Sequence, residues 1–216
     1  MREITDMKIV KVGIVGIGNM GGTHLACIMD GKIEGMTVRA VCDIDADKLH
    51  AAKEKYPMLE TYTDYKEMLT KADIDAAIIA VPHPLHAEVG IFAFAHGKHV
   101  LVEKPMDIAL SAGERLCAAA RESGKLFCIM LNQRTSPLFR EARRLVQSGK
   151  LGQLKRTVWV VTNWYRTDTY YASGAWRASW RGEGGGLLIN QAAHNLDLLR
   201  HAVLIAHVVE SALLGR

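Results

Sequence analysis

Three places along the chain hold residue types whose spacing suits small-molecule chemistry. The first is Gly16-Ile17-Gly18-Asn19-Met20-Gly21, with Asp43 placed 22 residues after the last glycine. A Gly-x-Gly-x-x-Gly run between a strand and a helix offers backbone N–H groups and a positive helix end to a diphosphate. The first glycine permits the tight turn, the second lets the diphosphate approach, and the third lets helix and strand pack closely. Asp43, at the end of the next strand, can accept hydrogen bonds from ribose hydroxyls and would repel a 2′-phosphate. Neither Ile44 nor Asp45 supplies a compensating cation, so NAD is expected in preference to NADP. The competing reading is a structural glycine turn with an incidental acid.

The second place is His99-Val100-Leu101-Val102-Glu103-Lys104-Pro105. Its apolar, β-branched middle reads as a short buried strand. In an open parallel sheet, ligands bind beyond the carboxyl ends of the strands, which is where Glu103 and Lys104 fall. Pro105 stops the strand and restricts the backbone of Lys104. Without context this is a solvated ion pair. Beside a dinucleotide loop, Lys104 becomes an electrostatic catalyst with Glu103 as its supporting charge, and both are candidate cofactor contacts. Pro82, His83 and His86 follow the preceding strand and are candidates to line the cofactor's ribose or nicotinamide. For His86, a helix-start residue with no role is an equal alternative.

The third place is Asn190, His194 and Asp197, which share a face if they lie on one helix. Histidine is the natural proton acceptor near neutral pH, and Asp197 is one turn away to orient it. The alternative is a solvated polar face, but the neighbouring positions are strongly apolar. Upstream, 163–181 carries Trp164, Tyr165, Arg166, Tyr170, Tyr171, Trp176, Arg177, Trp180 and Arg181. Aromatic faces with guanidinium donors suit a polyhydroxylated ligand, and the same residue types make protein interfaces.

These groups need a scaffold, and the first 130 residues alternate strand and helix patterns, the signature of a parallel sheet covered on both faces. Strands are expected at 9–15, 36–42, about Tyr62, 76–81, 99–102 and 126–131, with helices between them. Asp45 and Asp64 are the expected N-caps. Beyond a boundary near 131–137, an amphipathic helix at 137–147, a strand at 158–162 and a helix from Leu187 onward are expected. The chain therefore divides into residues 1–132 and 133–216. Its 49% hydrophobic content supplies a sizeable core, and a net charge of +4 is too diffuse for nucleic acid. Cys27, Cys42, Cys117 and Cys128 have no metal-ligand spacing and read as reduced core residues, so no metal is expected. Residues 1–7 lack the apolar stretch of a signal peptide, and the run from Ala202 to Leu214 is broken by His207 and Glu210. A cytoplasmic protein with no membrane partner is expected.

The order of the glycine loop, Gly97-Lys98-His99-Val100-Leu101-Val102-Glu103-Lys104-Pro105, and Gly184-Gly185-Gly186 with His194 and Asp197 resembles the Gfo/Idh/MocA oxidoreductase family. The resemblance covers residue 8 to about 199. It implies an α/β fold, a doubly wound parallel sheet of Rossmann type followed by an α+β domain that is only partial here. It also implies NAD as cofactor, a sugar, inositol or related polyol as substrate, and homo-oligomers for the full-length relatives. In this likeness Lys104 and His194 are the catalytic pair, and Asn190 stands where many members carry aspartate. Arg134, Tyr165, Arg166 and Asn190, with Lys104 and His194, are the implied substrate contacts. Some members use NAD transiently to hydrolyse glycosides. Residues 201–216 depart from the family's pattern, so an incomplete second domain is expected, and with it the alternative of a nucleotide-binding remnant without catalysis.

Overall fold

The computed structural model describes residues 8–162 and 165–204. Two compact units divide the chain, Met1–Met130 and Leu131–Arg216.

The first unit is built on six parallel strands: β1 Val10–Val15, β2 Met36–Cys42, β3 Glu60–Tyr62, β4 Ala76–Ile79, β5 His99–Val102 and β6 Phe127–Ile129. Their order, β3-β2-β1-β4-β5-β6, places the chain reversal between β1 and β4, where a doubly wound sheet opens its ligand crevice. Helices α1 Asn19–Met29, α2 Ala46–Lys55, α3 Tyr65–Lys71, α4 His86–Ala95 and α5 Leu110–Ser123 make the crossovers. Because both faces of the sheet are covered, a central strand such as β4, Ala76-Ala77-Ile78-Ile79, is apolar on both sides. The core accordingly has two clusters. One gathers Val12, Ile14, Leu25, Val38 and Leu59, the other Val15, Leu69, Ile79, Val89, Val102 and Leu116. Asp45 caps α2 by accepting the Asp47 and Lys48 N–H groups at 3.1 and 3.3 Å, and Asp64 caps α3 by accepting that of Lys66 at 2.8 Å.

The second unit contains α6 Pro137–Gln147, α7 Asp168–Ala172, α8 Trp180–Glu183, α9 Leu187–Asn190 and α10 Ala193–Leu199, followed by a π-helical turn at Arg200–Leu204. Three expected elements differ in the structure. Residues 158–162 form no strand: Val158 and Val160 are exposed, and among the described residues no strand lies in this unit to complete a ladder. The expected 163–181 loop contains a helical turn, α7. The helix expected from Leu187 is two helices, interrupted at Gln191 and Ala192. Trp164, residues 1–7 and most of the 201–216 segment lie outside the described residues. No described helix is long and apolar enough to cross a membrane, and no described group of three His, Cys, Asp or Glu residues is arranged to hold a metal.

Candidate functional site

In the first unit, Gly16 takes a left-handed backbone at φ +85°, and a Cβ there would stand 2.7 Å from the Ala80 carbonyl oxygen. At Gly21 a Cβ would stand 1.8 Å from the Gly16 carbonyl oxygen, so only glycine allows α1 to start so close to β1. Gly18 is the opposite case: nothing lies within 4 Å of where its Cβ would be. The helix start is uncapped by any side chain, and its first turn carries no acid. Gly18, Asn19 and Met20 are exposed at this opening. An anion with several oxygens fits a positive helix end of this kind, framed by two closures and one gap. The residues present therefore fit the diphosphate of a dinucleotide.

Asp43 closes β2 beside this loop. Its Oδ2 accepts the Ile17 N–H at 2.9 Å and its Oδ1 accepts the Asp45 N–H at 3.0 Å, which fixes the carboxylate against the glycine turn. A carboxylate has about four acceptor positions, so capacity remains for ribose hydroxyls. The structure adds a cation that reading only the two residues after Asp43 did not find: Lys48 Nζ lies 3.8 Å from Asp43 and 3.3 Å from Asp45. Cys42, next to Asp43, is a neutral core thiol. Burial, helped by the Asp43 charge, pushes its pKa up to about 12.

Beyond β4 and β5 the expected residues separate. His86 is 0% exposed, with Nδ1 2.7 Å from the Pro105 carbonyl oxygen and Nε2 2.8 Å from that of Val81. The ring braces the two post-strand loops against each other, and a fully buried ring cannot line a cofactor surface. Burial holds its pKa below the ordinary histidine value, against the raising effect of the two carbonyls. His83 is also buried, with its ring centroid 5.8 Å from that of His86. Pro82 and Lys104 stay partly exposed at the strand ends, and the Lys104–Pro105 peptide is cis. Glu103, 6% exposed, turns inward: Oε1 meets His24 Nε2 at 2.7 Å and Oε2 accepts the Lys104 N–H at 3.2 Å. It braces the lysine's backbone, where a cofactor contact was expected. His24 was missed, although it stands three residues past Gly21 on the face of α1 that turns toward the sheet.

In the second unit, Asn190 and His194 lie on different helices, so the single shared face does not form. Asp197 pairs with Arg134: both its oxygens meet the guanidinium, the Nε contact at 2.7 Å. Asn190, 8% exposed, donates from Nδ2 to Glu183 Oε1 at 2.6 Å. The other Glu183 oxygen accepts the Ala178 N–H at 3.1 Å, and Ala178 holds a positive φ of 55°. Glu183 and Asn190 line a pocket of about 350 Å³ with Tyr171, Trp180 and the Gly185–Gly186 backbone. Glu183 was the residue of this pocket least visible in the sequence. The available signal was an acid set between glycines, where the backbone comes close enough to bury it. Tyr165 is exposed, and the Arg166 guanidinium lies 4.6 Å from the Tyr170 ring centroid, with Arg177 4.3 Å from the same ring.

Comparison with known proteins agrees with these features. A family described as "Oxidoreductase family, NAD-binding Rossmann fold" matches residues 10–131, and the "GFO/IDH/MocA C-terminal domain" matches residues 139–211. Inositol 2-dehydrogenase of Salmonella typhimurium is 32% identical over 146 residues, 67% of this chain and 43% of that protein. Alpha-N-acetylgalactosaminidase of Shewanella oneidensis is 27% identical over 194 residues, 84% of this chain and 42% of that protein. The crystal structure of the WlbA dehydrogenase from Bordetella pertussis in complex with NADH and UDP-GlcNAcA superposes with a TM-score of 0.81 at 25% identity, covering 91% of this chain and 56% of that one. The chain spans about half the length of the relatives it matches. With a glycine cradle, a strand-end acid and the Glu103-Lys104-Pro105 turn on one six-stranded sheet, and both halves of the chain matched, this protein belongs to the Gfo/Idh/MocA family of NAD-binding oxidoreductases.

Proposed function

We propose that this chain is the cofactor-binding part, with some of the substrate-binding part, of an NAD-dependent oxidoreductase acting on a CH–OH group of a sugar, inositol or related polyol. The observation that carries the reading is the glycine cradle with its single gap at Gly18, set beside the fixed carboxylate of Asp43. Residues 1–132 hold the cofactor in this reading, and 133–216 belong to the substrate side. NAD, when bound, supplies the nicotinamide that accepts a hydride equivalent from the alcohol carbon. The α1 start receives the diphosphate, and Asp43 accepts the ribose hydroxyls and disfavours a 2′-phosphate. The Lys104 ammonium stabilises negative charge as it develops on the substrate oxygen. His194 accepts the hydroxyl proton. Asn190 has no basic atom, so it orients a hydroxyl instead, its amide held the right way round by Glu183. Arg134, Tyr165 and Arg166 are the proposed further contacts to the substrate. Homo-oligomeric assembly and a cytoplasmic location belong to the same proposal.

The test is NADH formation by the purified chain across a panel of inositols, aldoses and sugar nucleotides. Turnover is expected with at least one, and Lys104→Ala should lower it by about 10²-fold or more. A folded chain that binds NAD yet turns over none of the panel refutes the activity. The 27% identity to an alpha-N-acetylgalactosaminidase over 84% of the chain favours one second reading, NAD-dependent glycoside hydrolysis. Its signature is release of nitrophenol from a nitrophenyl glycoside with no net NADH.

A further inference from the structure

The geometry points to His24 as a positioning residue that sets Lys104 in place through Glu103. Gly21, His24, Leu25 and Ile28 follow one another at helical spacing on α1, and Gly21, Leu25 and Ile28 are buried toward the sheet. His24 therefore sits at the edge of the buried stripe, and its ring reaches across 79 residues of sequence to place Nε2 2.7 Å from Glu103 Oε1. Both side chains are nearly enclosed, at 14% and 8% exposure. The remaining Glu103 oxygen accepts the Lys104 N–H at 3.2 Å, while the Glu103 N–H donates to the Ile79 carbonyl at 2.9 Å and carries the β4–β5 ladder one step beyond the strand. The carboxylate is thus a two-ended brace. One end rests on the helix whose first turn forms the glycine cradle. The other holds the backbone of the lysine.

Two physical points give the brace its consequence. A buried carboxylate needs hydrogen-bond donors around it, and His24 supplies the one donor to Glu103 that comes from α1. A carboxylate oxygen only accepts, so in this contact the imidazole is the donor, from Nε2. With the donor removed, Glu103 is no longer drawn toward α1, and the Lys104 backbone loses a fixed acceptor. A displacement of about 1 Å at a reacting group can cost on the order of 10²-fold in rate. Because Lys104 matters here as the proposed stabiliser of the substrate oxygen, this role of His24 rests on that reading.

The experiment compares the whole chain as wild type, His24→Leu and His24→Gln, each saturated with NAD. Leu preserves bulk and removes the donor, whereas the Gln amide nitrogen can restore it. The reactivity of the Lys104 amine toward acetic anhydride is followed against pH by mass spectrometry, alongside calorimetric NAD affinity and turnover on the polyol panel. We expect the Lys104 profile to change in His24→Leu and return toward wild type in His24→Gln, with NAD affinity the same in all three. Where turnover is measurable, kcat should fall on the order of 10-fold to 100-fold in His24→Leu, with the KM for NAD unchanged. If His24→Leu does not fold, His24→Ala takes its place with the same expectation. An identical Lys104 profile with and without the imidazole overturns the brace, whatever the turnover. A wild type inactive on every substrate, but with Lys104 reactivity that depends on His24, overturns the proposed function and leaves the brace standing.

Discussion

The glycine loop makes a prediction in which folding and binding separate. Gly18→Ala and Gly21→Ala are the same chemical change three residues apart, and the structure assigns them opposite consequences. A methyl at Gly18 meets nothing within 4 Å, and its backbone, at φ −68° and ψ −155°, is extended with a negative φ. The folded state should lose no more than about 1 kcal/mol, the ordinary cost of alanine in place of glycine at an N-cap. A methyl at Gly21 would stand 1.8 Å from the Gly16 carbonyl oxygen, backbone against backbone, so α1 has to withdraw. Overpacking of this kind costs about 1–3 kcal/mol or more, which lowers Tm by roughly 2–4 °C per kcal/mol in a chain of this size. Ligand dependence then distinguishes the two. NAD at 100 times its Kd should stabilise wild type by about 2.7 kcal/mol. If the gap at Gly18 is where the diphosphate lies, Gly18→Ala should weaken NAD at least 10-fold and remove about 1.4 kcal/mol of that protection. The assay is thermal unfolding with and without NAD, with calorimetry for Kd. Gly18→Ala binding NAD as tightly as wild type would refute the placement of the cofactor. Gly21→Ala melting with wild type would refute the close approach of helix and loop.

Three other perturbations follow from the same geometry. Asp43→Ser removes the carboxylate that would repel a 2′-phosphate and releases Lys48 from one of its two acids. NAD affinity should fall and NADP affinity rise, by about 10-fold or more in their ratio, read by parallel titrations; an unchanged ratio removes Asp43 from cofactor selection. Glu183→Ala removes a hydrogen bond from the buried Asn190 amide and another from the Ala178 N–H, so unfolding in urea should show a loss of about 1–3 kcal/mol, with Glu183→Gln milder. Stability equal to wild type would count against the buried pair. His86 carries a pH signature: its folded pKa lies below the ordinary 6.5, so the unfolded chain binds the proton more readily. Its contribution is fully present above about pH 6.5 and is lost as pH falls toward the folded value. Urea midpoints from pH 7.5 to 5 should therefore decline, and decline less steeply in His86→Gln. Equal slopes would assign the acid sensitivity to other groups.

What the sequence discloses and what it withholds follow the range of the interactions involved. The β1–loop–α1 segment and Asp43 are legible because each is a local pattern: an apolar run, glycines at fixed offsets, an acid at the end of the next strand. The helix caps Asp45 and Asp64 are legible for the same reason, since a cap acts within three residues. The break between α9 and α10 has no local signal, because Gln191 and Ala192 are ordinary helix formers and neither glycine nor proline intervenes. The missing strand at 158–162 fails in the other direction. Its β-branched residues satisfy the local preference, but a strand exists only as a member of a ladder, and β propensity measures fit to a partner surface more than to the backbone itself.

The two polar ties that matter most to the site show this limit most clearly. Glu183 with Asn190, and Glu103 with His24, are carboxylates whose partners the fold chooses, one of them 79 residues away. From sequence, Glu103 alone reads as a surface ion pair and beside the dinucleotide loop as a cofactor contact or a support for Lys104, and burial distinguishes the solvated reading from the others. A carboxylate 6% exposed cannot be a solvated charge, and one whose two oxygens meet an imidazole and a backbone N–H is already committed to holding the chain in place. Lys104 gains from that commitment. Its position depends on a brace to the dinucleotide helix, so a change on α1 that leaves the glycines intact can still move the lysine. That dependence makes His24, a residue outside every motif in the chain, the sharpest place to ask whether α1 sets the position of the lysine.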